Sequence, residues 1–455
     1  MDTLPQCLQY GASQSQARIA RQTVRPLGAD NGSAGQTVRF KLPSKSIVDL
    51  RSLSLYYQYT IDGIVADANN WSNVQIPNSQ KHWRSVRWYV SGVLASGGAC
   101  NHYDQVAHAL VAATGSEDWA YSRMNNGYDE ILDSSILTGQ PGAVAGAAGF
   151  GDGYVAAAGQ LPAARSLLMT FDDLLGLPNT KNYCIDTSLF GDVELELQFN
   201  DNTMFKATRA GNVTQANAVT ALSAKFSNIR LCVNTVVSIS PLYVSLLSAR
   251  ISGSDQAIRI PFQNLISQFA ANTGSNRITC NAGSIDSLLV IPFTADPNTH
   301  GVYAAVANLS ANPPRYKYAV NDVAANFSIS VGSEQFPRQP VQNFRDCADI
   351  TTNSIFGNST KSTNLLYHGQ AVGAGTSTYT RSNYLSERAV CLIGFGLESE
   401  SWASGKLTGL DTAQTAVDIV VNTSGAALAT HLLIVAMCTS CLVFDPKTSA
   451  VSVEM

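Results

Sequence analysis

Four groups of residues have the types and spacing that chemistry uses. Cys438 and Cys441, in CTSC, have the CxxC spacing of redox and zinc sites. That chemistry needs a turn or a helix start and, for zinc, a second ligand pair. Here the pair sits inside an apolar run and no second CxxC exists. Asp172, Asp173, Glu194 and Glu196 could supply the two carboxylates of glycoside hydrolysis. A solvated strand face accounts for Glu194 and Glu196 equally well, since outward acids also blunt edge pairing. The histidines His82, His102, His108, His300, His368 and His431 show no ligand spacing, and His102 and His108 fall on different faces of one helical pattern. Trp71, Trp83 and Trp88 could floor a sugar or base site, against the plainer reading of core or loop packing. No GxxxxGK[ST], no GxGxxG after a strand and no HExxH occurs. The sequence therefore assigns no catalytic, cofactor-binding or metal residue, and no enzyme is expected.

The elements that would position these residues read as β. TVRFKLPSKS alternates, with Val38, Phe40 and Leu42 on one face. LRSLSLYYQYTI puts Leu53, Leu55, Tyr57, Tyr59 and Ile61 in period two. GDVELELQF sends Val193, Leu195, Leu197 and Phe199 inward and Glu194, Glu196 and Gln198 outward. FSNIRLCVNTVVSIS sets Ile229, Leu231 and Val233 against Arg230, Cys232 and Asn234. Such alternation marks strands with one buried face. Long glycine- and alanine-rich loops, notably 139–160, separate them; loops of that length are exposed or functional.

Two passages break the pattern in the same way. VRWYVSG runs as a strand to Gly92, and a helical pattern with Tyr103, Val106, Ala107 and Leu110 follows. NFSISVG runs as a strand to Gly332, and a second helical pattern with Val341, Phe344 and Ala348 follows. One face of each predicted helix is apolar and would cover a sheet edge. The order of strand pair, strand–glycine–helix, then later strands recurs in both halves, at an offset of about 240 residues that shrinks along the chain. The expected architecture is all-β with a few short helices: an arm over 1–36, a first β-sandwich over 37–240, a helical linker over 241–254 and a second sandwich over 255–455.

Bulk properties narrow the function. With 455 residues the chain needs more than one core. Charged residues are 14% of it, against roughly 25% in an ordinary soluble domain. A net charge of −4 gives no footprint for nucleic acid, so no specific nucleic-acid binding is expected. Arg18, Arg21 and Arg25, offset by Asp2 and Asp30, are too few for a genome-binding tail; the arm reads as a docking element or as simply flexible. The nine cysteines lie mostly in apolar runs and read as buried free thiols. The first thirty residues hold no apolar core of a signal peptide. Ala426 to Phe444 is nearly long enough for a bilayer span, yet His431, Thr439 and Ser440 interrupt it; one long core strand, or a pair of β-edges, is the expectation.

Taken in order, these phrases resemble the double jelly-roll major capsid proteins of tailless icosahedral DNA viruses. FKLPSKSIVDLRSLSLYYQYTI looks like the opening strands of a first roll. LLMTFDDLLGLPNTKNYCIDTSLFGDVELELQF looks like the family's strand, LP-marked turn and alternating strand. SGKLTGLDTAQTAVDIVV resembles the corresponding phrase of the second roll, and CLVFDPKTSAVSV a closing hairpin. The resemblance implies two tandem eight-stranded jelly rolls, each with a flanking helix. It implies a homotrimer of pseudo-hexagonal outline that self-assembles with neighbouring capsomers into the shell of a virion. Penton or minor capsid proteins and an internal membrane are the further partners it implies. It makes Arg18, Arg21, Arg25, Tyr103, Val106, Leu110, Phe344 and Ala348 structural or interface candidates. Two alternatives stay open on the residues alone: a minor capsid or spike protein of the same fold, and a secreted carbohydrate-binding or carbohydrate-hydrolysing β-sandwich.

Overall fold

A computed structural model describes residues 18–62, 73–75, 82–98, 100–107, 165–170, 177, 184–201, 206–208, 223–238, 257–293, 326–341, 391–394, 409–413, 418–424, 430–445, 447–448 and 450–454. The first half contributes β1 (Arg18–Val24), β2 (Gly32–Ser33), β3 (Thr37–Lys41), β4 (Ile47–Asp62), β5 (Asn73–Gln75), β6 (Trp83–Val90) and β7 (Val93–Ser96). It continues with β8 (Arg165–Thr170), β9 (Cys184–Asp186), β10 (Val193–Phe199), β11 (Lys206–Thr208) and β12 (Ser223–Ser238). The second half contributes β13 (Ile258–Ala271), β14 (Ser275–Ile278), β15 (Ile285–Phe293), β16 (Asn326–Val331) and β17 (Glu334–Val341). It ends with β18 (Cys391–Gly394), β19 (Ile419–Ser424), β20 (His431–Asp445) and β21 (Ala450–Glu454). A short helix, α1 (Thr187–Phe190), sits between β9 and β10 and is capped by Asp186.

The two halves repeat one topology. The first builds a sheet ordered β1-β12-β4-β8 and a second ordered β3-β10-β6-β7. The other half builds β13-β20-β15-β18 and β14-β19-β16-β17. Taken in chain order, the strands at matching places in the two sets correspond one to one: β1 with β13, β3 with β14, and so on to β12 with β20. All pairings are antiparallel. Each half is therefore a pair of sheets built on the same two four-strand orders with the same crossovers, which is a jelly roll; β2 and β9 extend one sheet of the first half, β21 one of the second, and β5 pairs apart with β11. The duplication read from strand order alone is present in the hydrogen bonding.

The glycine passages are hairpins before they are anything else. Ser91 and Gly92, both at positive φ (50° and 79°), make a two-residue turn between β6 and β7, with Val90 opposite Val93. A helical turn over 103–107 comes only after β7, where Val106 N donates to His102 O. In the second half Gly332 (φ 58°) turns β16 into β17 at the equivalent place. The predicted helical pattern after Gly332 thus begins as a strand. Its reason lies in EQFPRQPV: Pro337 and Pro340 bar a helix interior but suit a sheet edge, and β17 is the edge strand. Leu110, Phe344 and Ala348 lie outside the described residues, as do the predicted linker 241–254 and the 139–160 loop.

A second correction concerns the predicted arm. Residues 18–24 are not an arm: β1 pairs with β12 along its whole length, Thr23 opposite Cys232 and Val24 opposite Leu231. The sequence RIARQTV shows no strict alternation because its outer side faces away from the core, with Ile19 exposed and Val24 half-buried.

The apolar run near the C-terminus is one strand, β20, buried on both sides. Leu432, Ile434, Ala436 and Cys438 line the interior of the second roll with Ile285, Leu288 and Val290. Leu433, Val435 and Met437 instead join Leu289, Ile291, Phe293 and Phe262 in a cluster continuous with the core of the first roll. A strand with no solvent face has no polar alternation, which is why it reads like a bilayer span. Among the described residues no helix is long and apolar enough to cross a membrane.

Candidate functional site

The residues with chemical potential do not converge. Alternation predicts Glu196 facing solvent beside Glu194, but it is buried: the Arg39 guanidinium reaches Oε2 (Nε at 2.6 Å) and Arg87 Nη1 donates to Oε1 at 3.0 Å. Register explains this, because β10 lies between β3 and β6 and sets Glu196 opposite both Arg39 and Arg87. A carboxylate consumed by two guanidinium groups is a structural tie rather than a general acid. Glu196→Gln keeps the shape and removes the charge. Its expected cost is about 1–2 kcal/mol, toward the low end for charged hydrogen bonds because the Arg39 side chain is 56% exposed and screened. Thermal denaturation of the two proteins side by side measures it.

Trp83 and Trp88 are fully buried. Trp83 belongs to a cluster with Tyr57, Tyr59, His82, Phe199 and Phe226, in which Phe199 and Phe226 stack at 4.0 Å. His82 lies 4.6 Å from the Tyr59 ring and 2.7 Å from the Tyr57 hydroxyl through Nδ1. These aromatics fill the first roll and are shut off from any sugar or base. Trp71, Asp172 and Asp173 lie outside the described residues. No group of three or more metal-ligating side chains forms among the described residues.

The CxxC pair separates across its strand. Cys438 is buried in the second roll's interior. Cys441, three residues on along an extended chain and so turned to the other side, is half-buried near the exposed Arg259–Glu454 ion pair.

Two features remain that bear on assembly. The first is the junction of the rolls. Tyr103 and Val106, predicted as structural or interface residues, are buried in the continuous cluster of this one chain. His102 lies 5.4 Å from Phe269 of the second roll, and Phe190 lies 5.7 Å from Phe444. Asn264 accepts from Gly97 N at 3.3 Å and donates to Ser440 Oγ at 3.4 Å, a buried polar bridge between the rolls. β21 closes this region, with Val451 and Val453 packed on the same cluster. Nothing in the sequence pattern alone announced Asn264; it sits in an apolar run, and its role follows only from register.

The second feature is β1, the outermost strand of its sheet among the described residues. Ile19 and Arg21 on the strand, and Arg25 and Leu27 beyond its end, are exposed, Ile19 by 67% and Leu27 by 60%; Leu27 N is bonded to Arg39 O of β3. Arg18, which opens the strand opposite Ser238, belongs to the same edge. Arg21 donates to the Tyr56 hydroxyl at 3.1 Å, and the Arg21 and Arg230 guanidinium groups lie 6.0 and 5.5 Å from the Tyr56 ring. Exposed apolar side chains scattered singly are ordinary on a protein surface.

No protein-family model and no curated protein matches the sequence. Solved structures do match the fold along nearly its whole length. VP54 of PBCV-1, fitted into a reconstruction of the virophage Sputnik, is 10% identical with a TM-score of 0.57, over 94% of this chain and 95% of that one. A chain of the Sputnik virophage itself is 12% identical at 0.53, over 100% and 93%. The mavirus major capsid protein is 12% identical at 0.44, over 100% and 96%. The chain has the double jelly-roll fold, all-β and duplicated. That fold is shared with VP54 and with the Sputnik chain.

Proposed function

We propose that this chain is a major capsid subunit, which trimerises into pseudo-hexagonal capsomers and self-assembles into an icosahedral shell in the virion. The observation that carries the reading is the identical strand order of two successive rolls joined through one apolar cluster. Two rolls fixed to one another make a rigid block whose outline repeats within the chain, so three copies present six similar units to their neighbours. Low charge and the absorption of Glu196, Trp83 and Trp88 into the scaffold favour a structural over a catalytic role. In this reading Ile19, Leu27, Arg21 and Arg25 meet a second copy, while Tyr103 and Val106 hold the rolls in register.

The test is the mass in solution of the wild type and of an Ile19→Asp/Leu27→Asp double variant, by size exclusion with light scattering. Because both side chains are already in water, the variant is expected to melt within a degree or two of the wild type. It is expected to lose trimer mass. A variant that trimerises as the wild type does removes β1 from the interface, and a wild type that stays monomeric at all concentrations removes the capsomer.

A further inference from the structure

The junction of the two rolls makes once, inside the chain, a contact for which the duplication provides the parts twice. The outer face of the second roll's sheet is covered by the first roll. Phe269 on β13, Leu433 and Val435 on β20, and Leu289 and Ile291 on β15 share that face by cross-strand pairing, and all but the half-buried Phe269 are fully buried in the cluster that continues into the first roll. The end of β7 and the turn after it lie against this sheet. β7 touches β13 and β21, Gly97 N donates to Asn264 Oδ1 at 3.3 Å, and His102 lies 5.4 Å from Phe269. By strand order β1, β12 and β4 are the counterparts of β13, β20 and β15, and β17 is the counterpart of β7. The counterpart face of the first roll carries Arg21 on β1, Arg230 and Asn234 on β12 and Tyr56 on β4, because Arg21 is opposite Asn234 and Arg230 is opposite Tyr56. Among the described residues this face stays open to water: Arg21 and Arg230 are exposed, Tyr56 and Asn234 half-buried.

We propose, on the capsomer reading above, that the open face of β1, β12 and β4 is the docking surface for a second copy of this chain, which lays its β16–β17 hairpin there. The contact continues the junction already present within the chain. There the first roll brings its β7 end to the sheet of the second. In the second roll β17 holds the place of β7, and the first roll of another copy offers the open sheet that fits it. The two surfaces are different, so the contact is heterologous, and successive heterologous contacts close into a ring when their rotation permits. The two junctions differ in chemistry. The internal one is apolar and permanent. The open face is cationic: Arg21 donates to the Tyr56 hydroxyl at 3.1 Å, and the Arg230 guanidinium lies 5.5 Å from the Tyr56 ring. The hairpin brings a carboxylate, Glu334, exposed just after the turn at Gly332 and opposite Val331. A charge-matched polar contact suits surfaces that stay in water until two chains meet, and it selects the partner and its register.

A photoreactive benzophenone side chain placed at Tyr56 in the full chain tests this. A second variant carries it at Asn234, so that one position intolerant of the bulk does not decide the result. The assembled protein is irradiated, two-chain products are separated by denaturing electrophoresis, and their linked peptides are identified by mass spectrometry. The expected result is a link from the probe to a peptide within 326–341, the β16–β17 hairpin, of the other chain. Arg21→Glu/Arg230→Glu is expected to weaken the trimer roughly tenfold or more at low salt, since like charges then face Glu334, and Glu334→Arg in the same chain to recover much of the loss. Both side chains are exposed, so the melting temperature should hold. Links to β1 or β12 of the other copy, a trimer that links from neither position, or a double variant as tightly assembled as the wild type overturn this interface and leave the trimer standing. A wild type that stays monomeric at all concentrations overturns the capsomer reading and the interface with it.

Discussion

Gly97→Ala is expected to destabilise the protein by on the order of 3 kcal/mol or more. Gly97 ends β7 with φ at +79°, where an L side chain already costs roughly 1–2 kcal/mol. A Cβ there would fall on the Val86 carbonyl oxygen, a backbone atom of the adjacent strand that cannot swing aside. Relief requires β6 and β7 to part, and overpacking of this kind typically adds about 1–3 kcal/mol. The damage does not stay in the first roll, since Gly97 N is the donor to Asn264 across the junction. Gly92→Ala is the control: it shares the φ of 79° but its Cβ would meet open space, so it should lose only the conformational part. Chemical denaturation of both variants against the wild type gives the difference. Equal midpoints for the two would show that the Val86 contact is relieved without cost.

Leu433→Asp is expected to abolish soluble folded protein. Leu433 is fully buried on the side of β20 that joins the first roll's cluster. An unpaired charge buried there costs more than a domain of ordinary stability can lose. Leu433→Ala gives the graded form, about 2–5 kcal/mol by cavity creation. Its partner experiment is Ile434→Ala, one residue along and facing the second roll's own interior. If the two rolls unfold as one unit, both variants shift a single transition. If the junction is weak, Ile434→Ala alone lowers a second-roll transition and Leu433→Ala barely moves either.

How much of this was legible in the sequence varies by element. The half-buried strands β3, β4, β10 and β12 were, because alternation leaves the inward residues in plain view: Phe40, Leu55, Leu197 and Leu231 are all fully buried. The duplication was legible from strand order. The hairpins at Gly92 and Gly332 were half-legible; the glycines marked a turn, but VLAS is too short to show a period, and EQFPRQPV looked helical until its prolines are weighed against an edge position. β1 was missed because an edge strand with polar outer residues reads like a tail. Glu196 was placed in solvent because period two gives a face, not what covers it, and two arginines from neighbouring strands cover this one. The Asn264 bridge joins β13 to the turn after β7, and no local pattern encodes such a pair.

The measurement that tests the account most directly is the shape and mass of the purified protein, by negative-stain microscopy with light scattering. Particles of three chains with a hexagonal outline are expected, six similar lobes arising from two rolls per chain. A compact monomer at every concentration, with no tendency to associate, would contradict it and leave the double jelly roll as a fold without the assembly proposed for it.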